Sequence, residues 1–294
     1  MRRALVLALL ALSACSLVTS LDGFSGGGGT DDGGREGSAQ NDGGDGATDG
    51  APGTDSGDAG EAGPDRSQLY ALAVLSDKPR GYWRLEEIAG VAAKGENGRY
   101  DGVYVESPGL GAPGAAGSRA MKLSKDTQAR MRVDSPDFRF PGNSAYTVEL
   151  WAKAGELKDY QWLGGTETAG GGRSGWSLLG DANGAIRYEV WNPDGDGGST
   201  QVRGLSITAT GLTPGGFHHI VMAYGGTSVI GYIDGVRTVV FPTAGVVPDS
   251  GHLLVWGCRG DLAGCLDDWT IDELAIYDFQ LDQTRVEAHY DLGK

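Results

Sequence analysis

The segment "DDWTIDELAIYD", residues 267–278, sets five carboxylates around a short apolar run. Paired carboxylates are the machinery of glycoside hydrolysis. A retaining enzyme holds them about 5 to 5.5 Å apart and an inverting one about 6.5 to 9.5 Å, on one side of a cleft. The spacing here opposes that use. Neighbours on a strand point to opposite faces, so Asp272 and Glu273 are expected to diverge, while Asp272 and Asp278 share a face but lie roughly 20 Å apart. Leu274 and Ile276 fall on one face, and Ile271, Ala275 and Tyr277 on the other, which reads as a central strand buried on both sides. An unpaired carboxylate in such a strand is costly, so Asp272 needs a partner.

Other catalytic patterns are missing from the sequence: it has no G-x-S-x-G elbow, no H-E-x-x-H zinc site and no phosphate-binding loop. The four histidines, at 218, 219, 252 and 289, do not form a ligand spacing. Adjacent His218 and His219 must face opposite ways on a strand, one expected in solvent and one as a satisfied core histidine. No catalytic residue is assigned.

A binding reading rests on "AIRYEVW". There Ile186, Tyr188 and Val190 make a core face and turn Arg187, Glu189 and Trp191 outward, ahead of the polar loop "NPDGDGGST". A flat apolar ring beside charged hydrogen-bonding groups is what a sugar needs. Trp176 and Trp162 are expected on the same surface. The competing expectation is that these tryptophans sit part-buried at a sheet rim.

The elements that must position these residues begin after two cuts. "MRRALVLALLALSACS" has two arginines, an apolar run and then small residues, a secretion signal too short to span a membrane as a mature helix. Its "LSAC" resembles the lipobox of bacterial lipoproteins, which implies residues 1–14 as signal peptide and a lipidated Cys15. Ordinary cleavage nearby is the alternative. The Ser16 that follows leans, by that resemblance, towards the outer membrane or cell surface. Residues 15–66 then form a tether. Residues 22–66 hold 16 Gly and 11 Asp or Glu with two Arg, too little apolar surface to offset the entropy of ordering. As a flexible coil this stretch spans about 35 to 40 Å. It carries most of the chain's net charge of −15, and nothing in that balance implies a nucleic-acid partner. With Cys15 lipidated, Cys258 and Cys265 in "CRGDLAGC" are left to pair in an oxidising compartment, with two free thiols as the alternative.

Residues 67–294 read as one all-β domain. Short β-rich runs recur between Gly, Pro, Asn and Asp clusters: "GYWRLE", "QARMRV", "YTVELWAK", "GWSLLG", "AIRYEVW", "HHIVMAY", "VIGYIDG", "RTVVF", "HLLVWG" and "TIDELAIY". "YGGT" and "IDGVR" carry hairpin-turn chemistry. The one expected helix lies in "LDQTRVEAHY", capped by Asp282. Taken in order, "YWRLEE", "YTVELWAKAG", "FHHIVMAYGGTSVIGYIDGVRT" and "IDELAIYDFQLDQTRVEAHYDLG" resemble the laminin G-like, concanavalin A-like lectin and glucanase jelly roll over about residues 70–292. The resemblance implies an antiparallel β-sandwich and leaves function open, since the superfamily holds sugar-binding modules, adhesion domains and hydrolases. The E-x-D-x-x-E run of its laminarinase-like glucanases does not occur here, and Phe217 stands where the family often has Trp. The resemblance also implies a structural calcium joining Glu87 and Asp272, with the carbonyl of Gly102 as a further oxygen ligand. Otherwise Asp272 caps a turn or pairs with an arginine.

The expectation is a lipid-anchored surface module that binds a glycan or another envelope or extracellular component. It would touch the membrane through its anchor alone. A structural or assembly protein of the envelope is the alternative, and a glycan hydrolase ranks below both.

Overall fold

The computed structural model describes residues 64–168, 173–193, 199–207, 212–242 and 247–294. The signal peptide, Cys15 and the tether up to residue 63 lie outside the described residues. The described chain forms two antiparallel sheets packed face to face. Sheet I runs in the order β14 (Val236–Pro242), β13 (Ser228–Ile233), β12 (His218–Tyr224), β7 (Tyr146–Ala154), β16 (Trp269–Tyr277), β5 (Arg119–Leu123) and β4 (Gly109–Pro113), with β1 (Gly81–Trp83) also paired to β16. Sheet II runs β11 (Ser199–Ile207), β10 (Ile186–Pro193), β9 (Gly175–Gly180), β8 (Gln161–Gly165), β15 (Leu254–Trp256), β6 (Arg130–Val133), β3 (Gly102–Val105) and β2 (Ala92–Ala93). The two tight hairpins form as expected. Asp234 and Gly235 both take positive φ, 52° and 74°, and close β13 onto β14 between Ile233 and Val236. Gly226, at φ 84°, lies in the turn that joins β12 to β13.

Side-chain alternation explains the layers. Val148, Leu150, Ile220, Met222, Leu274 and Ile276 of sheet I meet Met131, Leu163, Leu178, Ile186, Tyr188 and Trp256 of sheet II between the sheets. The opposite face of sheet I is also apolar, with Trp151, Val221, Tyr232, Ala275 and Tyr277, and two helices cover it. One is α2 (Gln283–Gly293), whose first turn Asp282 caps by accepting the Arg285 N–H. The other, α1 (Arg66–Ser76), is not expected from sequence. It buries Tyr70, Ala71 and Val74 and begins in a capping box, in which Asp65 accepts the Gln68 N–H and the Gln68 side chain accepts that of Asp65. The cap Asp65 and the first helical residue, Arg66, thus fall within the residues expected to belong to the tether. Strands β2, β3, β4, β5, β8 and β11 are likewise additions to the expected set. Most are short, and "GLGAP" and "QWLGG" carry glycines that weaken the strand signal.

One irregularity changes the reading of the opening segment. Along one edge β16 pairs first with β5, at residues 269–271, and then with β1, at residues 274–276. A β-bulge falls at that change of partner, with Glu273 at φ 51°. The bulge resets the alternation, so Ile271 faces the inter-sheet core with Leu274 and Ile276, and not outward with Ala275 and Tyr277.

Candidate functional site

Among the described residues no helix lies on the outer face of sheet II, and that face gathers the residues expected to bind. In β10 the alternation holds: Ile186, Tyr188 and Val190 enter the core, while Arg187, Glu189 and Trp191 turn outward. Glu189 is nonetheless buried at 6% exposure, because Arg173 and Trp191 close over it. Arg173 Nη2 donates to Glu189 Oε2 at 2.9 Å, and Trp191 Nε1 donates to the same oxygen at 2.9 Å. The Arg173 guanidinium lies 3.4 Å from the centre of the Trp191 ring. It also binds Glu167, with Nε to Oε1 at 2.6 Å, while Ser177 donates to Glu167 Oε2. Gly175 lies opposite Trp191 in the ladder, at φ 99°, where a Cβ would stand 2.8 Å from the Thr166 carbonyl oxygen.

A second stack adjoins the first. Arg259 sits 4.9 Å over the ring of Trp162 and is held by Asp261, Nε to Oδ1 at 2.7 Å. That hydrogen bond raises the guanidinium further above its ordinary value and lowers the Asp261 carboxyl. The Arg-Gly-Asp tripeptide is thus folded on itself. The loop that carries it is closed by the Cys258–Cys265 disulfide, with Cα atoms 4.0 Å apart. Beyond Trp162 the ring of Tyr160 lies nearly parallel at 6.2 Å, with Arg187 5.8 Å from its centre and paired to Asp181 at 3.3 Å.

Trp176 does not belong to this surface. It is fully buried between the sheets, and its Nε1 donates to the Phe138 carbonyl at 2.8 Å, because its position in β9 is in phase with Leu178. Sequence reasoning misses Glu167, Arg173, Arg259 and Tyr160. All four lie in or beside loops, where no periodicity assigns a face; the one available signal is the short spacing of Glu167 and Arg173 ahead of β9.

Asp272 and Glu273 of the opening segment are buried on the other side of the molecule. Asp272 reaches the 3-10 turn at Ala115–Gly117, where its Oδ2 accepts the Ala115 N–H at 2.8 Å and lies 2.5 Å from Ser118 Oγ. Glu273 accepts from Tyr82 and from Arg84 Nε. Ala115 and Tyr82 both belong to the outer layer of sheet I, so the bulge prevents the divergence expected of Asp272 and Glu273. Burial, opposed by the bonds from Ser118 and Ala115, pushes the Asp272 carboxyl up to about 7. Burial and then the charge of Asp272 raise that of Glu273. Asp272 does cap a turn, and it is Glu273 that takes the arginine.

The groups expected to hold calcium are already engaged. Glu87 accepts the Lys94 N–H and the Tyr104 hydroxyl, each at 2.7 Å, and both oxygens of Asp272 accept backbone N–H groups. Gly102 lies in β3 of sheet II, and Asp272 in sheet I. Among the described residues no group of three or more His, Cys, Asp or Glu is placed to hold a metal.

Of the two adjacent histidines, one is the core histidine expected and the other departs from expectation. His218 is bound to Asp234 at 2.8 Å and is not in solvent, while the buried His219 binds Glu149 at 2.8 Å. Glu149 is the centre of a buried network that also takes Tyr70, Tyr277 and His289 Nδ1, and His289 Nε2 faces Asp77 at 3.1 Å. Burial would raise the Glu149 carboxyl, but His289 and His219 outweigh it and hold it well below the carboxylate range. Burial would lower His289, but the charge of Glu149 outweighs it and raises the imidazole. Both ring nitrogens of His289 face carboxylates, which suits the imidazolium. The network pins both helices to sheet I. Phe217, in place of the family Trp, packs against the helix layer under Lys153.

Comparison with known proteins follows this geometry. A laminin G-type sequence profile, described as the concanavalin A-like lectin/glucanases superfamily, matches residues 126–287. No curated protein sequence matches the chain. Among solved structures, domain 4 of the extracellular arabinanase AbnA from Geobacillus stearothermophilus, in complex with arabinotriose, aligns with TM-score 0.54 and 18% identity over 74% of this chain and 98% of that one. The ligand-binding domain of botulinum neurotoxin serotype D in complex with N-acetylneuraminic acid aligns with TM-score 0.53 and 13% identity over 74% of this chain, which spans 52% of that one. The binding domain of Paraclostridial Mosquitocidal Protein 1 gives 0.52 and 12% over 74% of this chain and 52% of that one. At these identities the likeness is one of fold. With the profile match covering more than half of its length and the two-sheet sandwich in place, the chain belongs to the concanavalin A-like lectin/glucanases superfamily.

Proposed function

We propose that this protein is a lipid-anchored glycan-binding module of the cell surface, and that it binds without cleaving. The observation that carries the reading is the cluster of Tyr160, Trp162, Arg173, Arg187, Glu189 and Trp191 on the one broad sheet face that no described helix covers. Its stacked guanidiniums and indoles are held in place before any ligand arrives, so ordering them adds little cost to binding. Arabinotriose and N-acetylneuraminic acid bound to two proteins of the same fold support a saccharide as the ligand class. Binding without cleavage is favoured by the burial of Asp272 and Glu273, whose carboxyls are engaged by protein groups. The lipid anchor rests on the "LSAC" that ends the apolar leader.

The test is a glycan array probed with the full chain, with and without calcium, beside Trp191→Ala, Arg187→Ala and Tyr160→Ala. Saturable binding that one or more of these substitutions weakens is the expected result. Dependence on calcium would restore a cation to the site. No binding to any glycan in either condition would end this reading in favour of a structural role, for which the exposed Ile88, Val91 and Val103 offer an apolar contact.

A further inference from the structure

Within the proposed surface, the aromatic ring open to a ligand is not Trp191. Trp191 is half-buried, has one face under Arg173, and commits its Nε1 to Glu189. Trp162 is buried beneath Arg259. Tyr160 is 59% exposed, on a left-handed backbone at φ 59° immediately before β8, and Trp162 and Arg187 fix its position. Its other surroundings form a cavity of about 320 Å³, whose walls include Lys125, Lys158, Asp159, Gln161 and Asp267.

We propose that this cavity holds one unit of a neutral sugar chain, with the sugar ring stacked on Tyr160. The inference deepens the glycan reading and rests on it. A cavity of this size lies at the lower end of small-molecule sites, about 300 to 1,000 Å³, which suits a single ring and its hydroxyls rather than an extended ligand. The charge argues for a neutral unit. Lys125 and Lys158 both face Asp267, at 3.5 and 3.4 Å, and Glu156 lies 2.9 Å from Lys158. In the wall the carboxylates of Asp159 and Asp267 equal the two ammonium groups in number, Glu156 adds a third carboxylate beside Lys158, and a sugar acid would meet no unpaired cation there. Sugar hydroxyls, which both donate and accept, can bond to either kind of group. The wall is pre-arranged as well: Asp159 caps Ala182, Gln161 accepts the Lys158 N–H at 2.9 Å, and the disulfide-closed loop supplies Leu262, Gly264 and Cys265.

The experiment titrates the full chain, as wild type, Tyr160→Ala, Tyr160→Phe and Trp191→Ala, with an array of neutral and acidic oligosaccharides. Neutral glycans are expected to bind, to lose about tenfold or more in affinity with Tyr160→Ala, and to change less than about threefold with Tyr160→Phe, which keeps the ring. Undiminished neutral binding by Tyr160→Ala, or binding confined to acidic glycans, would overturn the inference. Loss in Trp191→Ala with retention in Tyr160→Ala would overturn it and leave the glycan reading standing. No glycan binding at all would remove both.

Discussion

Asp272 and Glu273, which strand alternation alone would send to opposite faces, are two acids buried together beside a bulge. Their ordinary values are 3.8 and 4.5, and in the fold both are raised, Asp272 to about 7. The folded state therefore keeps protons that the unfolded chain has released. The stability they contribute is full below about pH 4 and is lost as pH rises towards 7 and beyond. His289 is raised from 6.5 and acts in the same direction, with its contribution present below pH 6.5 and lost above. Glu149 acts oppositely: held below 4.5, it contributes above that pH and is lost on further acidification. Stability should therefore be highest near pH 4 to 4.5 and fall as pH rises above it. A rise from 3.8 to about 7 for Asp272 corresponds to roughly 4 kcal/mol between the extremes. Urea denaturation should show the wild type less stable at pH 8 than at pH 5. Asp272→Asn cannot accept both backbone N–H groups, so it should be the less stable protein at pH 5, with the gap closing towards pH 8. Equal wild-type stability at the two pH values would refute the assignment of buried, protonated acids.

At the scale of elements, the loop between β15 and β16 links the covalent framework to the candidate surface. Its Gly264, at φ 57°, lies where any Cβ would stand 2.0 Å from the Trp162 ring, so a glycine lets the loop pack flat on the indole. The disulfide closes only an eight-residue ring, which by chain entropy contributes roughly 2 to 3 kcal/mol at most. A Cys258→Ser, Cys265→Ser variant should fold, unfold at lower denaturant by no more than that amount, and lose the ordered placement of Arg259. An unchanged midpoint would mean that packing of Gly264 on Trp162 already holds the loop. This bond is legible in the sequence, because setting Cys15 aside leaves an even pair of thiols seven positions apart. Helix α1 is not legible in the same way, because Leu69 and Leu72 point outward and blur the helical stripe, and its burial depends on Trp151 and His289, remote in sequence.

At the scale of the molecule, both helices lie on sheet I, and the chain enters the domain at Asp65 on that side. The candidate surface lies on the opposite sheet. The proposed anchor is testable: Cys15→Ser should shift the protein from the membrane fraction to the soluble exported fraction. Retention of the variant with membranes would show that something other than a lipidated Cys15 holds it there.

Local rules within the chain suffice for the sandwich, the in-and-out assignment of Arg187, Glu189 and Trp191, the capped last helix and the cysteine pair. Each such rule acts over a few residues: a period of two, a turn that needs positive φ, a capping side chain, an even number of thiols. The remaining features arise only when the sheets assemble. One bulge reversed the phase of β16 and turned Asp272 and Glu273 to the same side. Glu149, His219 and His289 met across as many as 140 residues of chain. Arg173 and Arg259 came from loops to cover the two indoles. No periodicity encodes such meetings, because they depend on which strands become neighbours.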